Sequence, residues 1–94
     1  YTIAMRQFTL LSFLCQVFII IFMVSERNKI FGKNLKIARF IKEITQAELA
    51  EAVDVSESTI SLIERGIQSP SVFLVYDIVK FLQIDINDLL KNVP

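Results

Sequence analysis

The chain has 94 residues, enough for one small domain, with 53% hydrophobic residues, two glycines, two prolines and ten basic against ten acidic side chains. That composition is neither collagen-like nor disordered, and a balanced charge gives no electrostatic argument for nucleic acid. With no histidine, no tryptophan and one cysteine, the sequence excludes a Ser-His-Asp triad, a Cys/His zinc set, an internal disulfide and a CxxC pair, and no residue set supports an enzyme or a cofactor.

Composition changes along the chain. Residues 1–25 hold 18 apolar residues and one charge, Arg6, whereas residues 26–94 hold the other 19 charges and 32 apolar residues. The expected boundary is Ser25-Glu26, with a single hydrophobic helix before it and a globular domain after it. Residues 7–25 carry no charge. As a helix they would reach ~28 Å, close to the ~30 Å hydrocarbon core of a bilayer, so a membrane is one expected partner. Arg27, Lys29, Lys33 and Lys36 follow the run against Arg6 alone before it, which would tether the C-terminal domain on the cytoplasmic side. Met23, Val24 and Ser25 offer no small-residue cleavage site, which argues against a signal peptide. A second expectation stands beside the anchor: Met23 could begin a chain of its own, with residues 1–22 upstream sequence read in frame.

The next helix is expected over Asn28 to Glu43, where Phe31, Leu35, Ala38 and either Ile41 or Ile44 recur at helical spacing. It is basic: Arg27, Lys29, Lys33, Lys36, Arg39 and Lys42 occur with no acid between residues 27 and 42. This is either a solvated face or a phosphate-facing flank. Thr45 can cap a second helix, with Glu48 three residues on completing a capping box, so that helix runs from about Gln46 to Val53. Ser56 repeats the device for a third helix, Glu57 to Arg65, which stops at Gly66. Leu49, Ala50, Val53, Val55, Ile60 and Ile63 can all point inward if these two helices cross steeply over the turn Asp54-Val55-Ser56, with Ala50 where they touch. Ser71 can cap a helix from Val72 to Leu82 with the stripe Val75, Ile78, Val79 and Leu82, and Asp85 a last one, Ile86 to Lys91.

Thr45-Gln46-Ala47-Glu48-Leu49-Ala50, Val53-Asp54-Val55-Ser56, Ser58-Thr59-Ile60-Ser61 and Ile63-Glu64-Arg65-Gly66 together resemble the helix-turn-helix of the phage repressor and Cro (XRE-type) family. The resemblance extends through Pro70-Ser71, Leu74, Ile78, Leu82, Ile84, Asp85, Leu89 and Leu90, and so covers about residues 28–92. It implies an all-α, five-helix repressor-like domain, here preceded by the hydrophobic N-terminal helix.

The resemblance also implies roles. The third helix would enter the major groove of double-stranded DNA, with Glu57, Ser58, Ser61 and Leu62 near base edges and Ser56 at the entrance. Gln46, Lys36, Arg65, Gln68 and Ser69 would meet phosphates. Arg39 matches a position that pairs with the Glu at the end of the third helix, here Glu64, tying first helix to third. Ile86, Leu89 and Leu90 are the implied dimer contacts, since the last helix often carries them in this family. Three positions depart from the family pattern. Glu57 and Leu62 stand where basic or amide side chains are frequent, Asp54 where Gly is common in the turn, and Glu43 where Gly often ends the first helix. Glu57 can still accept from a cytosine amine, and Leu62 can still touch a thymine methyl. The expected function is a sequence-specific, cytoplasmic, homodimeric DNA-binding regulator, a repressor. The alternative is a membrane-tethered or antitoxin-type protein-interaction module on the same fold.

Overall fold

The computed structural model consists of α1 (Thr2–Ile41), α2 (Gln46–Ala52), α3 (Glu57–Glu64), α4 (Val72–Leu82) and α5 (Ile86–Leu90). The structure describes the backbone of residues 2–94 and the side chains of residues 14–18 and 26–94, and no strand occurs among them.

One expectation is corrected at the start of the chain. The composition boundary at Ser25-Glu26 is not a break in the helix, because α1 runs unbroken for 40 residues. No glycine or proline stands between Ser25 and Gly32 to interrupt the hydrogen-bond ladder, and Glu26, Arg27 and Lys29 are good helix formers. The expected membrane segment, residues 7–25, has described side chains only at 14–18, and the side chain of the expected start, Met23, lies outside the described ones. Among the described residues no helix is long and apolar enough to cross a membrane.

The first four helices end alike. In each, a residue in the left-handed region donates its N–H to a carbonyl three residues back, and the following apolar residue donates to one five residues back. Glu43 (φ 58°) bonds Phe40 at 3.0 Å and Ile44 bonds Arg39 at 3.1 Å; Asp54 (φ 57°) bonds Glu51 at 3.3 Å and Val55 bonds Ala50 at 3.0 Å. Gly66 and Gln83 with Ile67 and Ile84 repeat the pattern after α3 and α4. This is the Schellman closure, which satisfies the last carbonyls of a helix. N-caps then follow at once: Thr45 accepts from the N–H of Glu48, Ser56 from Thr59 and Asp85 from Asn87. Glu43-Ile44-Thr45, Asp54-Val55-Ser56 and Gln83-Ile84-Asp85 are therefore three copies of one connector, a left-handed residue, an apolar residue packed on the core and a cap. The Thr45 box closes differently from the usual form, since the Thr45 hydroxyl donates to the Glu48 carboxylate at 3.0 Å.

The core gathers Phe31, Leu35 and Ala38 from α1, Leu49, Ala50 and Val53 from the second helix and its cap, Ile60 and Ile63 from α3, Ile78 and Leu82 from α4, and Leu89 from α5. Of the two candidates closing the α1 stripe, Ile44 packs on this core and Ile41 is exposed, because the left-handed turn at Glu43 swings the chain back across the domain. Ala50 is 3% exposed within this cluster. Ala50→Leu should cost ~1–3 kcal/mol through overpacking, read as a lower urea midpoint, and an unchanged midpoint would show that there is room beside α2.

Asn34 fixes the far end of the domain. Its amide donates to the carbonyls of Leu89 at 2.9 Å and Lys91 at 2.8 Å, so a side chain from α1 closes the last turn of α5.

Candidate nucleic-acid interface

The exposed side of the α2–α3 pair is built around one buried ion pair. Arg39 Nη2 and Nε donate to Glu64 Oε1 and Oε2 at 2.9 and 3.1 Å, and Nη1 donates to the Ile44 carbonyl at 2.8 Å. Both residues are under a tenth exposed, so the guanidinium holds the end of α3, the end of α1 and the connector into α2 in one fixed geometry. Engaged in this way, Arg39 is not a free cation on the surface. Its plane also lies 4.8 Å from the ring centroid of Phe40.

Gln46 joins this network. Its amide nitrogen donates to Glu64 Oε2 at 3.2 Å, and because a carboxylate bonded to arginine can only accept, the orientation of the amide is determined. One N–H is thus committed to Glu64, leaving the second N–H and the amide oxygen for a ligand. No spacing rule links residues 18 apart in sequence, so this contact was not visible there.

Around Gln46 lies an open hollow of about 450 Å³, lined by Gln46, Glu57, Ser58, Ser61, Leu62 and Arg65. Four of the five residues assigned to base reading and two of those assigned to phosphate meet there. Ser56 does not line it. Its hydroxyl accepts from the N–H of Thr59 at 3.1 Å and pairs with the Thr59 hydroxyl at 2.8 Å, so its work is to start α3. Lys36, Gln68 and Ser69 are exposed outside the hollow. The hollow offers hydroxyls that donate and accept, a carboxylate, an amide, a guanidinium and one apolar patch at Leu62. Such a mixture suits the edges of base pairs.

The dimer candidates separate. Ile86 and Leu90 are each 45% exposed, but Leu89 is wholly buried in the chain's own core and cannot meet a second copy. On that side of the domain a second, largely apolar hollow of about 640 Å³ is lined by Pro70, Val72, Tyr76, Ile86, Leu90 and their neighbours, with Asp85 as its one charged residue. The apolar stripe of α4 does not point to this hollow, because Val72 and Tyr76, both exposed and both lining it, are off that stripe.

Two short helices clasped over a three-residue turn, with the open face of the second beside the start of the first, define a helix-turn-helix domain. The profile of the helix-turn-helix family HTH_3 matches residues 35–89. An HTH-type transcriptional regulator of Methanocaldococcus jannaschii is 40% identical over 55 residues, which are 58% of this chain and 83% of the relative. Among solved structures, the clp gene regulator ClgR of Corynebacterium glutamicum superposes with a TM-score of 0.66 at 33% identity, over 68% of each chain. The restriction-modification controller protein C.AhdI of Aeromonas hydrophila superposes with a TM-score of 0.63 at 26% identity, over 66% of this chain and 94% of its own. The chain belongs to the HTH_3 helix-turn-helix family, a family of DNA-binding transcription regulators and not of enzymes.

Proposed function

We propose that residues 26–94 form a unit that reads duplex DNA sequence through the major groove with α3, and that the chain acts in the cytoplasm as a homodimeric repressor. The observation that carries the reading is the convergence of Gln46, Glu57, Ser58, Ser61, Leu62 and Arg65 on one open hollow at the start of the reading helix. Glu57 accepts from a cytosine amine, Leu62 contacts a thymine methyl, and the serines adapt to either partner. Gln46, through its second N–H, and Arg65 meet phosphates and set the register. The apolar hollow beside Tyr76, Ile86 and Leu90 seats the second copy, since a monomer seldom leaves so much apolar surface open. Repression follows from occupancy, because a dimer on its operator blocks other proteins from that stretch of DNA.

In-vitro site selection with the full chain tests the reading. The expected product is an inverted repeat with half-site centres about 10 base pairs apart. Glu57→Ala should change the preferred base at one position in each half-site by ~1–3 kcal/mol, whereas Gln46→Ala should weaken all duplexes about equally. A chain that enriches no motif at low salt is not a sequence reader. Its apolar hollow would then serve a foreign protein partner, as in the interaction-module reading.

A further inference from the structure

Lys29, Lys33 and Lys36 recur at i, i+4 and i+7 along α1, which places them on one ridge of the helix. All three are exposed, and among the described residues none of them makes an ion pair. The nearest acids in sequence, Glu26 and Glu43, lie beyond the two ends of the ridge. Structure fixes both of its ends. At one end a Cβ added to Gly66 would meet Lys29 Cα and Cγ at 2.7 Å, so the stem of Lys29 lies directly on the start of the 66–69 loop, which carries Gln68 and Ser69. At the other end the Lys36 ammonium sits 5.7 Å from the centroid of the Phe40 ring, the ring that Arg39 also faces. Between them Gly32 rests on the carbonyls of Ile63 and Glu64, the last two residues of α3. The ridge therefore runs alongside the end of the reading helix, from the loop after it to the buried pair that holds Gln46.

We propose that Lys29, Lys33 and Lys36 form a phosphate track that follows one DNA strand beyond the bases read by α3. The inference rests on the DNA-binding reading and extends the phosphate contact that the resemblance implies for Lys36 to Lys29 and Lys33, along a ridge of α1 outside the helix-turn-helix. Three cations on successive turns rise ~10 Å along the helix, a span that brings them against neighbouring phosphates of one backbone. The ligand is the sugar-phosphate backbone of duplex DNA, with no base identity.

The test measures affinity of the full chain for its selected duplex across a salt series. Lys29→Met, Lys33→Met and Lys36→Met should each flatten the slope of log affinity against log salt by about 2, one phosphate contact from each protomer of the dimer, and weaken all sequences uniformly, leaving the selected motif unchanged. Lys80→Met and Lys91→Met remove the same charge away from the ridge, Lys80 lying 5.3 Å from the Tyr76 ring and Lys91 beside α5, and should leave the slope unchanged. Equal slopes for ridge and control variants, with wild-type binding intact, overturn the track and spare the regulator reading. Absence of duplex binding by the wild type overturns both.

Discussion

Gly32→Ala should unfold the domain or bring it close to unfolding, although the substitution raises intrinsic helix propensity. In an open helix position Ala is favoured over Gly by ~1 kcal/mol, so the sign of the effect reports whether the site is open. Here it is not. A methyl group at Gly32 would collide with the main-chain carbonyls of Ile63 and Glu64, and main-chain atoms at a helix end cannot rotate away as a side-chain tip can. The helices α1 and α3 would have to part, loosening the packing of Leu35, Ile60 and Ile63, all wholly buried, and stretching the Arg39–Glu64 bonds. The expected cost exceeds ~3 kcal/mol, a large fraction of the ~5–15 kcal/mol that holds a domain folded. Urea denaturation of the full chain followed by circular dichroism measures it. A variant as stable as the wild type, or more so, would mean that α1 and α3 do not touch at Gly32.

That contact shows where sequence reading stops. The helix-turn-helix was legible because its signals are local. Thr45, Ser56, Ser71 and Asp85 cap the helices that follow them, and Asp54-Val55-Ser56 forms the turn between α2 and α3. The left-handed residues Glu43 and Asp54 were traceable as departures from a glycine pattern, and both adopt positive φ. Gln83 does the same with no such cue. Gly32 in a helix reads as a small propensity cost until the helix that crosses it is known. Asn34, bonded to carbonyls 55 and 57 residues away, could not be assigned a partner by any periodicity. The start of α1 was misplaced for a different reason: a change from apolar to charged residues marks a change of surroundings, and a helix needs no uniform surroundings to continue.

Glu64→Ala should cost ~3–5 kcal/mol, because it leaves Arg39 buried with the Ile44 carbonyl as its one remaining acceptor. The size comes from stranding a charge and not from the intrinsic worth of the pair. Arg39→Met combined with Glu64→Leu removes both charges and should recover most of the loss, since apolar replacement of a buried pair is often neutral. The recovered variant separates folding from function. Its α3 is held by packing alone, and Gln46 no longer has the carboxylate that now accepts from its amide at 3.2 Å. Duplex affinity should therefore remain below wild type although the urea midpoint is restored, and the deficit should be equal for all sequences, as for a lost phosphate contact. Equal affinity of the double variant and the wild type would show that Gln46 needs no support from Glu64. A Glu64→Ala cost below ~1 kcal/mol would show that solvent reaches Arg39 and that the pair behaves as a surface contact.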